Sequence, residues 1–197
     1  VRAFTVDEQL AIINVAGEIC QAIRAAGRPG NNRDWCYGVF ADTGLRQDEM
    51  RKLPWSAVYI DARPYQIRCE RAWTKNRRDQ VIPLTDDARE LLLQQRAYTS
   101  DRKLVWRSVA SLNTLNADMA RCGGPKGDSR GKAAGFHSFR KGLNRRLRLR
   151  NVDPETRMRW LRHAKAELTL GAYGDVLPAD LAAAVQRLGG LGKAELS

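Results

Sequence analysis

The sequence predicts a mainly α-helical domain carrying one small three-stranded antiparallel β-sheet. Three observations predict it. Helix-start and helix-stop residues recur along the chain, with Ser, Thr or Asp caps in front and Gly or Pro behind. The apolar period switches from helical to strand-like only once, in three short runs between residues 56 and 84. A chain of 197 residues, 43% of them apolar, fits one domain, or one with a small appendage, around a real core.

The elements follow in order. Thr5-Val6-Asp7-Glu8 is a capping box, with Thr at N-cap and Glu at N3. Leu10, Ile13, Cys20 and Ile23 continue at helical spacing until Gly27-Arg28-Pro29-Gly30 ends the element. A second helix covers Asp34 to Ala41 and breaks at Thr43-Gly44; a third runs from about Arg46 to Leu53, before Pro54. SAVYIDA (56–62), QIRCERA (66–72) and DQVIPL (79–84) read as strands, with turns at Arg63-Pro64 and Asn76 to Arg78. A helix begins near Thr85-Asp86-Asp87 and carries Leu91 to Leu93, and another spans Ser108 to Met119. Residues 122–135, CGGPKGDSRGKAAG, form a Gly- and Lys-rich loop.

GFHSFRKGLNRRLRLR (135–150) is the most basic helix. Phe136, Phe139, Leu143 and Leu147 make one buried stripe, and His137 and Arg140, three apart, share a face beside it. Asp153-Pro154, with Pro at N1, starts a helix through Leu161. LPADLAAAVQRL (177–188) places Leu177, Leu181, Val185 and Leu188 on one face of a last helix.

Lys and Arg outnumber Asp and Glu by 34 to 22, giving a net charge of +12 and a pI near 10.1. That excess points to an anionic partner, nucleic acid first and an anionic membrane surface second. No apolar run approaches spanning length, and no signal-peptide pattern opens the chain. Cys20, Cys36, Cys69 and Cys122 form no C-x-x-C pair, and the histidines are His137 and His163 alone. Neither a zinc centre nor a disulfide framework is expected, nor any metal or other cofactor.

Several polar residues carry chemistry only in combination. Arg46 follows Thr43-Gly44-Leu45, with Glu49 three residues on; taken alone this is a surface ion pair of little worth. Lys75 sits at the edge of a predicted hairpin, where a lysine deters edge-to-edge pairing. His163 lies just beyond a helix and Tyr173 ten residues later. The set Arg46, Lys75, His137-x-x-Arg140, His163 and Tyr173 resembles, in order, the catalytic domain of the tyrosine recombinases of phage-integrase type. The resemblance runs from FTVDEQ to the Tyr173 region, and carries Thr43-Gly44-Leu45-Arg46, Thr74-Lys75, Pro83-Leu84, His137-Ser138-Phe139-Arg140 and Leu161-Arg162-His163. Arg162 stands where the family motif has glycine. The family tyrosine follows its histidine by nine residues within Thr-x-x-Tyr; here the interval is ten and Thr169 lies four before Tyr173. One extra residue rotates a side chain around a continuous helix, so the backbone there is expected to bulge or loop.

The resemblance implies a DNA breaking-and-rejoining fold, with a catalytic domain at 1–176 and a C-terminal helix or tail at 177–197 docking on its own core or on a neighbouring protomer. The family's N-terminal DNA-clasping domain is expected to be absent from this chain. The implied activity is site-specific DNA recombination through a 3′-phosphotyrosyl intermediate, with no metal or ATP. In it Tyr173 is the nucleophile, Arg46 and Arg140 hold the phosphate oxygens, and Lys75 is the general acid. His137 accepts the tyrosine proton, His163 hydrogen-bonds the phosphate and Glu49 supports them. Lys141, Arg77, Arg78 and Arg148 are candidates for DNA-backbone contacts. The implied partner is double-stranded DNA, bound by a homotetramer, or by a monomer when the domain is isolated, in the cytoplasm of a bacterial or phage-infected cell. A type IB topoisomerase-like nicking-closing enzyme and a non-catalytic DNA-binding module on the same scaffold remain open alternatives.

Overall fold

The computed structural model describes residues 1–28, 30, 32–71, 79–99, 103–124, 126–128 and 131–162. Lys75, Arg77, Arg78, His163, Tyr173 and the helix expected at 177–188 lie outside the described residues. Among those described, seven α-helices and one three-stranded antiparallel sheet form the architecture the sequence predicts.

Helix α1 (Val6–Ala25) starts on the expected box: Thr5 Oγ1 accepts from the Glu8 N–H at 3.1 Å and Glu8 Oε2 accepts from the Thr5 N–H at 2.8 Å. Its inward stripe is Gln9, Ile12, Ala16 and Cys20, while Leu10 is 52% exposed. The expected phase was therefore off. Gln9 turns inward because Gly142 faces it; a Cβ at Gly142 would also lie 2.8 Å from the Phe4 carbonyl oxygen.

Helix α2 (Arg33–Thr43) is the centre of the molecule and packs against α1, α4 and α6. Cys36, Tyr37, Val39 and Phe40 are all buried on it. Beneath them, Arg33 makes a bidentate pair with buried Asp118, at 2.8 and 3.1 Å, and Tyr37 donates its hydroxyl hydrogen bond to the same carboxylate. Helix α3 (Gln47–Lys52) stops before Pro54, and a 3-10 turn at Trp55–Ala57 leads into the sheet.

Strands β1 (Val58–Tyr59), β2 (Gln66–Cys69) and β3 (Gln80–Pro83) pair in sequence order, with Val58 opposite Ile67 and Ile67 opposite Ile82. All three are shorter than expected, and β1 starts late because residues 55–57 wind into the turn instead of extending. Helix α4 (Asp86–Tyr98) is capped by Thr85, which also donates to Asp42 Oδ2 at 2.8 Å. Helix α5 (Leu112–Arg121) begins at Ser111, not at Ser108. The preceding residues are bound elsewhere: Val105 N–H donates to the Leu53 carbonyl at 3.0 Å, and Trp106 is buried with its indole N–H on Met50 Sδ. The loop that follows closes on itself through Ala134 N–H to the Lys126 carbonyl at 2.7 Å.

Helix α6 (Phe136–Leu149) buries the expected stripe of Phe136, Phe139, Leu143 and Leu147. Phe139 stacks on Tyr37 and Phe40, at 5.7 and 6.0 Å between centroids, and meets Phe4 edge-on at 5.0 Å. Fully burying one such ring contributes about 1.5–3 kcal/mol, so this cluster is what fixes α6 to α2. Arg146 reinforces it, donating to the Ala41 carbonyl and to Asp42 at 3.1 Å, at the C-terminal end of α2 where a cation is favoured. Helix α7 (Pro154–Leu161) begins as expected, Asp153 accepting from the Thr156 N–H at 2.9 Å. Leu161 joins Leu143 and Leu147 in a second apolar cluster against α6.

Candidate functional site

The site grows from the turn between α2 and α3. Thr43 Oγ1 donates to the Val39 carbonyl at 2.6 Å and accepts from the Leu45 N–H at 3.3 Å, so the chain leaves α2 in a fixed direction. Gly44 then takes φ +61°, in the left-handed region that glycine enters without steric cost. A Cβ there would lie 3.2 Å from Leu143, 3.3 Å from Leu161 and 3.4 Å from the Arg140 stem. The position therefore demands glycine by backbone and by space. Its carbonyl oxygen points at two guanidinium groups, accepting from Arg140 Nη1 at 2.7 Å and Arg162 Nη2 at 3.3 Å.

Arg46 is the N-cap of α3, and Glu49 at N3 accepts from its backbone N–H at 2.9 Å and from its Nη1 at 2.9 Å. Read alone, this spacing was a surface pair of small value; the structure places Glu49 at 2% exposure. Arg162, just after α7, completes its shell with an Nη1 donation to Glu49 Oε2 at 2.9 Å. Burial pushes the Glu49 carboxyl up, but the charge of Arg162, the Arg46 N–H and the Arg46 charge outweigh it and hold the group below the ordinary carboxylate range. Glu49 is thus a buried anion shared by two arginines. It orients; it is not poised to carry protons at neutral pH.

Arg140 is 2% exposed, and among the described residues its Nε and Nη2 have no hydrogen-bond partner. Burial, then the charges of Arg162 and Arg46, push it down to about 9, with Glu49 opposing. It stays cationic at pH 7. A buried guanidinium with donors unmet is costly, and an oxyanion that accepts two hydrogen bonds side by side fits its fork.

His137, on the first turn of α6, is solvent-exposed where Arg140 is buried, so the shared face has an open and a closed end. Loss of hydration against the protein, then the charges of Arg140, Lys141 and Arg46, push its imidazole down to about 4. It is neutral at pH 7 and keeps one nitrogen free to accept a proton. Buried Ser138 fixes the start of α6, its Oγ accepting from the Gly135 N–H at 3.0 Å.

The structure therefore brings Arg46, Glu49, His137 and Arg140 together from two distant segments. Lys141 lies on the neighbouring side of α6, with its amine on the Val1 carbonyl at 2.7 Å. Arg148 is half-buried two turns further along and is already engaged within the fold. Arg162 is the site residue that sequence reasoning passed over as a role. Its one signal was an arginine at a motif position that otherwise takes glycine. Among the described residues, no cluster of His, Cys, Asp and Glu is placed to hold a metal ion, and no helix is long and apolar enough to cross a membrane.

The chain matches the phage integrase family over residues 5–179. No curated protein sequence matches it. Among solved structures it is similar to XerA recombinase, with a TM-score of 0.73 at 14% identity over 98% of this chain and 65% of that one. It is similar to XerH site-specific recombinase bound to palindromic difH substrate in a post-cleavage complex, with a TM-score of 0.68 at 15% identity over 94% of this chain and 53% of that one. The catalytic domain of bacteriophage HP1 integrase gives a TM-score of 0.61 at 14% identity, with 94% of each chain covered. These identities show a shared fold. The chain spans only 65% and 53% of the lengths of XerA and XerH, but nearly all of the HP1 catalytic domain.

Proposed function

The chain belongs to the phage integrase family, and from that premise we propose that it is a site-specific DNA recombinase that cuts and rejoins strands through a 3′-phosphotyrosyl intermediate. The observation that carries the reading is the Arg140 guanidinium, buried, cationic and with two donor positions unmet, coupled electrostatically to Arg46.

In this reading Arg46 and Arg140 hold the non-bridging oxygens of the scissile phosphate and stabilise the charge of the pentacoordinate transition state. Tyr173 Oη attacks phosphorus; the new P–O bond to tyrosine forms as the bond to the 5′-oxygen breaks. The tyrosine proton passes to neutral His137, and Lys75 protonates the departing 5′-oxygen. His163 hydrogen-bonds the phosphate. Attack by a 5′-hydroxyl from another strand reverses the sequence, so the bond energy is conserved in the covalent link and no nucleotide is consumed.

The net charge of +12 supports a duplex DNA partner held largely through its backbone. The proposed assembly is a homotetramer on two duplexes, with the catalytic unit at 1–176 and the 177–197 segment docking on its own core or on a neighbour. The proposed setting is the DNA of a bacterial or phage-infected cell.

The test uses a library of nicked duplex suicide substrates, randomised across the cleavage region. The full chain is expected to form a covalent protein–DNA adduct that Tyr173→Phe abolishes. An undiminished adduct in Tyr173→Phe removes Tyr173 from the role, and no adduct from any library member removes the activity.

A further inference from the structure

Resting on the DNA-cleavage reading above, we propose that Arg162 is a positioning residue that ties the two phosphate-binding arginines, Arg46 and Arg140, into one rigid unit. The connection is continuous: Arg46 to Glu49, Glu49 to Arg162 Nη1 at 2.9 Å, Arg162 Nη2 to the Gly44 carbonyl at 3.3 Å, and that carbonyl to Arg140 Nη1 at 2.7 Å. Arg46 belongs to the start of α3 and Arg140 to α6; Arg162, just beyond the end of α7, bonds to Glu49 of α3 and to the Gly44 carbonyl that also holds Arg140. Both guanidinium groups are donors only, so they are linked through shared acceptors: the Gly44 carbonyl, two residues before Arg46 in the chain, holds Arg140, Glu49 holds Arg46, and Arg162 bonds to both acceptors.

The backbone at Arg162 supports the assignment. It sits at φ 56°, ψ 44°, left-handed, directly after α7. Among the described residues the other non-glycine positions with positive φ are Asn32 and Asn151, and asparagine tolerates that region through its short polar side chain. Arginine has no such compensation. A strained residue persists where its surroundings over-determine it, and here the surroundings are a side chain 1% exposed and bonded to a carboxylate and a carbonyl. Glycine would relieve the backbone and lose both bonds. Lysine would keep the charge but lacks the planar fork that satisfies two acceptors at once.

Among the described residues, the charged and titratable groups facing Glu49 are Arg46 from its own helix start, Arg162 from beyond α7, Arg140 from α6 and the Cys69 thiol from β2. Burial holds that thiol up at about 11, so it stays neutral at pH 7. Removing Arg162 takes the largest charge contribution off Glu49 and lets its carboxyl titrate at higher pH.

The test compares the full chain with Arg162→Gly, Arg162→Met and Arg162→Lys by two readouts. One is the ¹³C-carboxyl NMR titration of Glu49, which needs no DNA. The other is the single-turnover rate of adduct formation on the nicked duplex library, alongside duplex affinity. Arg162→Gly and Arg162→Met are expected to raise the Glu49 titration and to slow adduct formation by about a hundredfold, as displacement of a reacting group by an ångström does. Duplex affinity rests on many phosphate contacts and is kept. Arg162→Lys restores the titration and only part of the rate. If Arg162→Gly fails to fold, the Met and Lys variants decide. A Glu49 carboxyl that titrates unchanged in Arg162→Met, or an adduct rate that stays at the wild-type value, overturns the proposal. If the unmodified chain forms no adduct, the cleavage reading falls, and the Glu49 titration still decides whether Arg162 braces the site.

Discussion

Arg140 and Arg162 donate to the same oxygen, the carbonyl of Gly44, at 2.7 and 3.3 Å. Two cations on one neutral acceptor repel each other, and Glu49 bonds to only one of them. The arrangement is held by packing and by the shared acceptor rather than by charge balance. That imbalance gives the first prediction its sign.

Arg140→Ala removes a buried cation whose Nε and Nη2 have no partner among the described residues. Deleting such a group relieves desolvation and repulsion, so thermal stability is expected to hold or rise. Adduct formation is expected to fall by about 10²–10³-fold, the cost of one lost transition-state donor. Melting curves and single-turnover kinetics on the same preparation check both halves. A large fall in melting temperature would make Arg140 a structural cation.

Gly44→Ala is expected to destabilise the fold by about 1–2 kcal/mol from the left-handed backbone alone. The added methyl, 3.2 Å from Leu143, 3.3 Å from Leu161 and 3.4 Å from the Arg140 stem, adds strain to that. Urea denaturation measures it, with the midpoint falling at unchanged slope. Because the clash reaches Arg140, the rate of adduct formation should fall even where the variant is fully folded.

Stability should decline as pH falls below about 6.5, and His137 is one cause. Its folded value, about 4, lies below the ordinary histidine value of 6.5. Between those values the unfolded chain binds the proton more readily, so stability decreases as pH falls through the window and is insensitive to this group above it. Glu49, also depressed, contributes stability above its ordinary value and loses it as pH falls through its lower folded value. The two act in adjacent windows. His137→Gln should flatten the decline between pH 6.5 and 4 while leaving the steeper acid loss, as read from melting temperature against pH.

Much of this was legible from local chemistry. Thr5, Thr85 and Asp153 announce helix starts because a side-chain oxygen three residues ahead of an N–H is a local device. The α6 stripe was legible because four large apolar residues leave one way to bury it. The phase of α1 was not: with Leu10, Ile12, Ile13 and Val15 all apolar, the choice is made by Gln9 against Gly142, a tertiary contact. The start of α5 was misplaced because Ser108 and Ser111 are both cap-type residues, and the fold uses Ser111, whose Oγ accepts from the Thr114 N–H.

The candidate site divides in the same way. Motif order brought Arg46, Glu49, His137 and Arg140 into one set, and the fold puts them near one another. The burial of Glu49 and the role of the Gly44 carbonyl left no trace in the sequence. A backbone oxygen has no letter of its own, and arginine by type belongs on the surface. Arg162 departs from that rule because Glu49 and the Gly44 carbonyl, both distant in sequence, hold its guanidinium.

The ring cluster of Phe4, Tyr37, Phe40, Phe136 and Phe139 has a mechanical consequence. Phe139 and Arg140 are consecutive, so the residue gripped on three sides by aromatic rings is the chain neighbour of the buried guanidinium. Close-packed interiors resist compression and do not deform gradually. This side of the candidate site is an anvil: in the proposed reaction the scissile phosphate is brought to it, and whatever accommodation docking requires is made by the ligand or by other parts of the chain.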